Sequence, residues 1–299
     1  MSRYIPSTRQ FYSYHPSVVH APGDIWADLP THGLLKCKRC AGIVITPACD
    51  LANQKVETLT YLPVVPISHW FSCTGALTEI QNQARPLSTQ LEIGDNESKV
   101  LTSRLPDGVE IEKFEAVVKA KIGDGKTQKI NQLVERLLAC TSQIKLITRE
   151  SFGLTEMPKL QQICGEKQFS QIIKKIICNS YRSDLHYLPS DGEDEEWSAI
   201  PRHAVALFRY PLTAPIELFD LSQDLSIHDW DAAIGQHVGR IPFAEAFREK
   251  KPLKTLTLLK DFLSDLLTRF VSLYVRLGSP DFNEHTVDTL QRQIADEPR

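Results

Sequence analysis

The chain has 299 residues, of which 42% are hydrophobic and 24% are charged, and its formal net charge at pH 7 is -3. This composition is ordinary for a globular protein and supplies enough apolar side chains for a core. The small negative charge excludes nucleic-acid binding by a general basic field, so such a partner would need a local basic patch. A chain of this length favours two domains over one.

Membrane insertion and secretion are both disfavoured by the sequence. The longest apolar-leaning stretch, residues 256–277, is interrupted by charged side chains at positions that include 260, 261, 265 and 269, so it is too polar to span a bilayer. The N-terminus lacks the uninterrupted apolar segment of a signal peptide. The seven cysteines are odd in number and scattered, which is typical of reduced thiols. We therefore predict a cytoplasmic protein.

Three strands are predicted near the N-terminus. Residues 24–29 alternate, with positions 25, 27 and 29 on one face, which indicates a half-buried strand. Residues 42–46 (GIVIT) form a β-branched run that fits a central strand and stops at Pro47. Residues 58–67 predict a third strand, which prolines at 63 and 66 place at an edge or bend by a bulge. Together these strands predict a small, strongly bent barrel.

The rest of the chain is predicted to be mainly helical. Apolar residues recur at three- and four-residue steps in several segments, and this is the period of an amphipathic helix. Proline and glycine punctuate the less regular stretches. The predicted segments are helices over 73–83, 111–122, 130–138, 169–177 and 256–277, a loop with at most one strand over 85–108, and strands over 184–189, 204–210 and 216–221.

Residues 22–68 resemble the MazF/PemK toxin family, whose fold is a small SH3-like barrel. In that family a strand that opens with Gly-Asp-Ile leads through a loop to an Arg and a Val-Val-Leu-Ser-type run. Here Gly23-Asp24-Ile25 is followed by Arg39 and by the run 42–46. Cys40 stands where the family has Pro, and the spacing from Arg39 to Thr46 is one residue longer. The resemblance implies an endoribonuclease in which Arg39 and Thr46 serve RNA cleavage.

The resulting fold class is α+β, with a small SH3-like β-barrel followed by a mainly helical body with a few C-terminal strands. The predicted organisation is an N-terminal arm over 1–22, a small β-barrel domain with an extension over 23–109, and a mainly helical domain with short strands over 110–299. The whole chain also resembles bacterial proteins of similar length that are suspected of belonging to antiviral defence operons. The segments that carry this resemblance are 46–50, 187–189 and 276–280, and they imply no activity.

The Cys-x-x-Cys pair Cys37 and Cys40 is a candidate half of a zinc site. Two thiolates three residues apart in a tight turn can both reach one tetrahedral ion. The remaining ligands would be Cys49 together with His69 or Cys73. The alternative interpretation is that these thiols carry no ligand.

Cys49 and Asp50 directly follow the predicted central strand, where loops commonly present functional side chains. A thiol close to Lys55 and Arg39 could have a lowered pKa and act as a nucleophile, with His69 as the only nearby histidine in sequence. The alternative is structural, with Asp50 capping the loop and Cys49 packed inward. The predicted binding residues are Arg39, Cys49, Asp50 and Lys55.

Three functions of different classes remain open from the sequence. The first is a non-catalytic protein-binding component of a bacterial defence or toxin–antitoxin-like system, which uses the barrel and the last helix as surfaces for a protein partner or a second copy. It is favoured because no complete catalytic set can be assembled. The alternatives are a MazF-like endoribonuclease and a zinc-stapled binding module. No cofactor is predicted apart from the structural zinc of that last alternative.

Overall fold

A computed structural model describes residues 11–14, 16–33, 35–53, 55–122, 128–148, 156–193, 198–224 and 226–275. Residues 1–10 of the predicted arm and the segment 276–280 lie outside the described residues. The described part of the chain combines helices with one antiparallel sheet, which confirms the predicted mixture of helix and strand. Helices cover both faces of this sheet.

The sheet of the described residues has the strand order β1-β8-β2-β3-β4-β6-β5, and β7 pairs with the first half of β4. It is open, with β1 and β5 at its two edges, so a closed SH3-like barrel within residues 23–109 is not confirmed. Strands from before and after residue 110 belong to this one sheet. The strands are β1 (Tyr12–Ser13), β2 (Asp24–Pro30), β3 (Arg39–Val44), β4 (Thr58–Pro66), β5 (Leu185–Leu188), β6 (Ala204–Leu207), β7 (Leu212–Pro215) and β8 (Leu253–Leu258).

The helices of the described residues are grouped by the face of the sheet that they cover. Five successive helices, α3 to α7, form the helical body against one end of the sheet, while α11 packs on the opposite face. The helices are α1 (Ala48–Ala52), α2 (Ile67–Trp70), α3 (Leu77–Gln90), α4 (Gly108–Lys119), α5 (Gln128–Thr148), α6 (Met157–Cys164), α7 (Glu166–Ile177), α8 (Ile216–Gln223), α9 (Trp230–Gly235), α10 (Ala244–Phe247) and α11 (Lys260–Tyr274), with short 3-10 turns at Thr74–Ala76 and Glu97–Leu101.

The described residues form three hydrophobic clusters, one under α11, one under α8 to α10 and one in the helical body. Strand β4 supplies side chains to all three. Side chains alternate between the two faces of a strand, so Leu62 and Val64 face the cluster under α11. Leu59 and Tyr61 face the opposite side, where α8, α9 and α10 pack, and Val65 continues that face into the helical body. The strand is therefore buried on both sides, as its nearly continuous apolar sequence requires.

The glycine that opens GIVIT is required by close packing. A Cβ atom at Gly42 would lie 2.6 Å from Cδ1 of Leu29 on β2 and 2.7 Å from Cδ2 of Tyr61 on β4. The Tyr61 hydroxyl also donates a hydrogen bond to the carbonyl of Pro30, at 2.8 Å. Gly42 thus lets neighbouring strands bring bulky side chains over the backbone of β3.

Two predictions near the C-terminus need correction, the first in the type of the element and the second in the residue at which the last helix begins. Residues 216–221 were expected as a strand but form α8, which begins after Pro215 and buries Leu218 and Phe219. Leu256 to Leu258 were expected to start the last helix but end strand β8, where they pair with β1 and β2. In both places packing against the sheet selects the type of element, because a short apolar run fits the period of a strand as well as that of a helix.

The first part of the loop predicted over 85–108 is also wrong, because α3 continues through Pro86 to Gln90. A proline inside a helix removes one backbone hydrogen bond and strains the preceding turn. Here Ile80, Ala84 and Leu87 are all buried in the helical body. The burial of these side chains offsets the free-energy cost of Pro86, so tertiary packing keeps the proline inside the helix.

A buried ion pair joins β2 to β8. The Lys254 ammonium lies 2.9 Å from Oδ2 of Asp24, and the two side chains are only 4% and 2% exposed. Asp24 also accepts hydrogen bonds from the Thr257 hydroxyl and from the Ala21 amide, while Lys254 donates to the carbonyl of Val19. Each charge therefore has several partners, which a buried pair needs to offset its desolvation.

We predict that Lys254→Met lowers the free energy of unfolding by about 3–5 kcal/mol, because it leaves the Asp24 carboxylate buried without its cation. Lys250→Met is the matched control, since Lys250 is 62% exposed and pairs with Asp28 at the surface. An exposed pair contributes only about 0–1 kcal/mol. Urea denaturation measures the loss of unfolding free energy in both variants, and equal losses would contradict the role of Lys254 in the buried ion pair.

His186 on β5 is buried against α11. Its ring stacks on Phe208, and its Nδ1 atom lies 3.9 Å from the Asp265 carboxylate without a hydrogen-bond partner. Burial lowers the pKa of His186 to about 4, Asp265 opposes this shift, and Arg269 adds to it. The folded protein therefore holds this histidine neutral at pH values where the unfolded chain protonates it.

The resulting pH dependence has a definite sign. As the pH falls from about 6.5 to about 4, the unfolded state binds the proton first, so stability falls over this window. The resulting loss of unfolding free energy is about 3 kcal/mol, because each unit of pKa difference between the folded and unfolded states corresponds to about 1.36 kcal/mol. We predict that His186→Phe reduces the pH 7 to pH 4 loss of unfolding free energy by about this amount. An unchanged loss in chemical denaturation would refute the assignment.

Candidate functional site

Strand β3 separates the residues that the sequence analysis grouped into one site. Arg39 is the first residue of β3, whereas Thr46, Cys49 and Asp50 follow its last residue, Val44. At about 3.4 Å per residue, the five steps of this strand span about 17 Å. The structure therefore does not bring Arg39 together with Cys49 and Asp50.

Arg39 fastens three backbone segments to one another. Its Nη1 donates to the carbonyls of Asp28 at 2.8 Å and Lys250 at 3.3 Å, and its Nη2 donates to the carbonyl of Ala246 at 3.1 Å. Nε lies 3.6 Å from the Glu249 carboxylate. Burial lowers the pKa of Arg39, and Glu249 partly opposes this. The guanidinium thus ties these backbone segments together, and it also lines the cavity formed by Cys37, Cys40 and His69.

Thr46 is likewise engaged by the backbone. Its hydroxyl oxygen accepts a hydrogen bond from the Thr60 amide at 2.7 Å, and the residue is 5% exposed. This contact extends the pairing of β3 with β4 past the end of the strand. The two residues that the MazF/PemK resemblance assigns to RNA cleavage are therefore both hydrogen-bonded to the backbone, at opposite ends of β3.

Cys49 and Asp50 lie on the short helix α1. Cys49 is exposed, which does not agree with the expected inward packing, and its Sγ lies 3.5 Å from Oδ1 of Asp50. Lys55 contacts this pair through the backbone, with its amide donating to the Asp50 carbonyl at 3.0 Å. The arrangement closes a surface turn at the far end of β3 from His69.

Four of the five predicted metal ligands gather at the opposite end of β3, around the carbonyl of Leu35. His69 Nε2 lies 2.9 Å from this oxygen, and Cys73 Sγ lies 3.4 Å from it. Cys37 and Cys40 line a cavity of about 340 Å³ together with His69. Cys49 is left out of the group. We call Cys37, Cys40, His69 and Cys73 the thiol cluster.

The thiols of the cluster are held in their protonated form. Burial raises the pKa of Cys37 to about 11. Burial raises the pKa of Cys73 to about 12, with a smaller contribution from Cys37 in the same direction and one from Lys36 in the opposite direction. Burial also raises the pKa of Cys40, and Cys37 adds to that shift. These cysteines are therefore poor nucleophiles at neutral pH. As placed, the Cys, His, Asp and Glu side chains of the described ranges form no group of three that could hold a metal ion.

The connection that carries Cys37 has an uncommon backbone. Asp28, His32 and Lys36 all have positive φ, at 61°, 51° and 52°, and so does Phe243 at 63°, whose ring lies 5.2 Å from that of His32. Such conformations cost free energy outside glycine and persist only where surrounding contacts impose them, often at functional sites. The sequence carries no signal for them, because they depend on what packs against the loop.

A second feature, which the sequence analysis missed, is an apolar groove beside α7. The groove has a volume of about 430 Å³ and contains one charged side chain among its lining residues, which are Pro66, Ile67, Ser68, Met157, Phe169, Ile173, Ile177, Tyr187, Arg202 and His203. We call it the α7 groove. The sequence did contain a signal for this groove, because α7 has more apolar residues than its buried face needs. Ile172 and Ile176 are the buried residues of this helix. The remaining apolar residues form a second face.

The sheet edge beside the groove is closed. Asn179, just after α7, accepts a hydrogen bond from the Tyr187 amide of edge strand β5 through its side-chain oxygen, at 2.6 Å. The Tyr187 hydroxyl bonds to Nδ1 of His203 at 2.8 Å, and the Ser190 amide donates to the same nitrogen. These contacts fix the polar end of the groove and occupy a backbone donor that an added strand would use.

We predict that Arg39→Ala lowers the unfolding free energy by about 2–3 kcal/mol, because it leaves partly buried carbonyls without their charged donor. The neighbouring Lys38→Ala is the matched control, since Lys38 is 69% exposed and pairs only with Glu249 in a surface contact. That pair should contribute less than about 1 kcal/mol. Thermal and urea unfolding measure the stability of both variants. An Arg39→Ala protein as stable as Lys38→Ala would contradict the stabilising role of the Arg39 hydrogen bonds.

The function of the chain has to be argued from its own residues. Over the part of the chain that the structure describes, no helix has the length and apolar character needed to cross a membrane. Comparisons of the chain with protein-family models, with curated proteins and with solved structures found no match.

Proposed function

We propose that the chain is a non-catalytic protein-binding component of a bacterial defence or toxin–antitoxin-like system, and that the α7 groove is its docking surface. The observation that carries the proposal is the outward apolar face of α7, where Phe169, Ile173 and Ile177 line the groove and Ile177 stays 49% exposed. Scattered exposed apolar residues are ordinary, but a contiguous apolar groove is typical of an interaction site.

The partner segment is an amphipathic helix with acidic residues beside its apolar positions. The last turn of α7 places exposed Lys174 and Lys175 beside the groove, and no carboxylate is among the residues that line it. Complementary charge on a partner therefore has to be negative. A helix is favoured over an added strand, because the Asn179 side chain already occupies the Tyr187 amide at the sheet edge.

The last helix is a weaker docking surface than the sequence suggested. Helix α11 places Phe262, Leu263 and Phe270 against the sheet, so most of its apolar stripe is already used. Assignment to a defence or toxin–antitoxin-like system rests on the resemblance of residues 22–68 to the MazF/PemK barrel and on the defence-operon resemblance of the whole chain. The endoribonuclease alternative has less support, since Arg39 and Thr46 bind backbone groups at opposite ends of β3.

The test is site-specific photo-crosslinking in the source cells. A photoreactive phenylalanine analogue at position 177 should trap a defined protein, and the same analogue at position 109 should not, because exposed Val109 lies on α4 away from the groove. Val109 is 56% exposed, which makes it a matched site. The crosslink should map to an acidic amphipathic helix of the trapped protein.

Substitution supplies the second half of the test. Ile177→Asp should reduce recovery of the trapped protein at least tenfold, because it puts a carboxylate into an apolar groove, whereas Val109→Asp should leave recovery unchanged. Both variants should keep the wild-type unfolding midpoint to within a small margin, since neither side chain is buried. Equal recovery with both variants, or a crosslink to unrelated proteins from both positions, would overturn the proposed docking surface.

A further inference from the structure

We propose that the cavity at the start of β3 binds a small hydroxy acid, that is, a carboxylate with a hydroxyl beside it and a short apolar chain. The cavity has a volume of about 340 Å³, and Asp28, Arg39, His69 and Lys250 are among the polar side chains that line it. A cavity of this size that combines apolar surface with a few polar groups is typical of a small-molecule site. We call it the β3 cavity.

The β3 cavity is assembled from segments that are distant along the chain. Strand β2 contributes Asp28, α2 contributes His69, and the segment before β8 contributes Lys250. Asp28 lies in the bulge of β2 between Trp26 and Leu29, and its φ is 61°. Bulges and strained backbone are both over-represented at functional sites, where they re-aim a side chain. The backbone of Asp28 therefore marks this wall as a site independently of its charge.

The ion pairs around the β3 cavity leave one positive charge in excess. The Lys250 ammonium lies 2.9 Å from Oδ2 of Asp28. The Glu249 carboxylate is shared by two cations, since Lys38 lies 2.8 Å and Arg39 lies 3.6 Å from it. Three of these five groups are cations and two are carboxylates. Their net charge of plus one matches a single carboxylate on the ligand.

The thiols of the cavity do not cancel this charge. Cys37 and Cys40 line the cavity, and burial raises the pKa of both thiols. Both are therefore neutral at pH 7 and do not repel an anion. The cavity presents them as part of its weakly polar wall.

Arg39 and Lys250 supply the positive charge in different ways. The guanidinium of Arg39 is fixed by the carbonyls of Asp28 and Ala246, which are neutral acceptors and leave its charge in place. The ammonium of Lys250 has three N–H donors, and the Asp28 carboxylate needs only one of them. Lys250 can thus donate to a bound carboxylate and keep its ion pair.

The other polar groups call for a donor on the ligand. Nε2 of His69 lies 2.9 Å from the Leu35 carbonyl, which can only accept, so Nε2 carries the proton. In the neutral ring the nitrogen left for a ligand is Nδ1, an acceptor. The Asp28 carboxylate is a second acceptor, so a hydroxyl beside the ligand's carboxylate has a partner. Ala41 and Pro66 provide apolar surface for the carbon chain.

Calorimetric titration of the full-length chain with 2-hydroxy-4-methylpentanoate tests the site. We expect one molecule to bind per chain. The amide of the same acid lacks the charge and should bind about tenfold more weakly, as should 4-methylpentanoate, which lacks the hydroxyl. Equal binding of the acid and its amide would overturn the proposal, and so would the absence of binding by the hydroxy acid.

Substitution separates the cavity from general electrostatic attraction. Lys250→Gln should weaken binding of the hydroxy acid about tenfold, because it removes the charged donor. Lys38→Gln is the matched control and should bind as wild type. Lys38 is 69% exposed against 62% for Lys250, and it too pairs with a carboxylate, but it is not among the described residues that line the β3 cavity. Equal losses in the two variants would overturn the proposal.

Alkylation places the bound acid in the cavity. At mildly alkaline pH, the hydroxy acid should slow the reaction of Cys37 with iodoacetamide, because Cys37 lines the cavity, and should leave that of exposed Cys49 unchanged. Both lysines are exposed, so both variants should keep the wild-type urea midpoint. A rate at Cys37 that the acid does not change would contradict binding in the cavity. Pro66 and Arg202 also line the α7 groove and are left unaltered, so the result does not depend on docking there.

Discussion

The buried pair of Asp24 and Lys254 is the contact on which the arrangement of the sheet depends. It joins a strand near the start of the chain to one more than two hundred residues later, with the ammonium 2.9 Å from the carboxylate. Thr257 on β8 and the Ala21 amide complete the partners of Asp24. Because β8 is held there, α11, which follows it after a single residue, lies on the face of the sheet formed by Ile25 and its neighbours.

The sheet in turn decides which chemistry is available. Strand β3 separates Arg39 from Cys49 by its full length, and the hydrogen bonds of Arg39 and Thr46 tie both to the backbone. Helix α2 stands between the α7 groove and the thiol cluster. Its residues Ile67 and Ser68 line the α7 groove, while His69 belongs to the thiol cluster. One short helix therefore borders both the α7 groove and the thiol cluster.

Local sequence signals predicted much of the secondary structure. Residues 24–29 lie in strand β2 and the first three residues of GIVIT lie in strand β3, where Gly42 packs against Leu29 and Tyr61. The predicted shared face of positions 25, 27 and 29 is wrong, because a bulge in β2 turns Leu29 to the side of the sheet opposite Ile25. The stripes over 111–122 and 169–177 lie in helices α4 and α7. These signals succeed where one face is consistently apolar over two or more turns. Pro86 shows the limit, since buried neighbours keep it inside α3.

The sequence by itself determined the periodic elements and the Cys-x-x-Cys and His-x-x-x-Cys spacings, because period and spacing are properties of the local backbone. Only the tertiary structure decided that β8 pairs with β2, that Arg39 and Cys49 lie apart, and that Cys37 and His69 line one cavity. Those outcomes follow from contacts between segments distant along the chain. Their free energy comes from burial and from ion pairs such as Asp24 with Lys254, which no local pattern encodes.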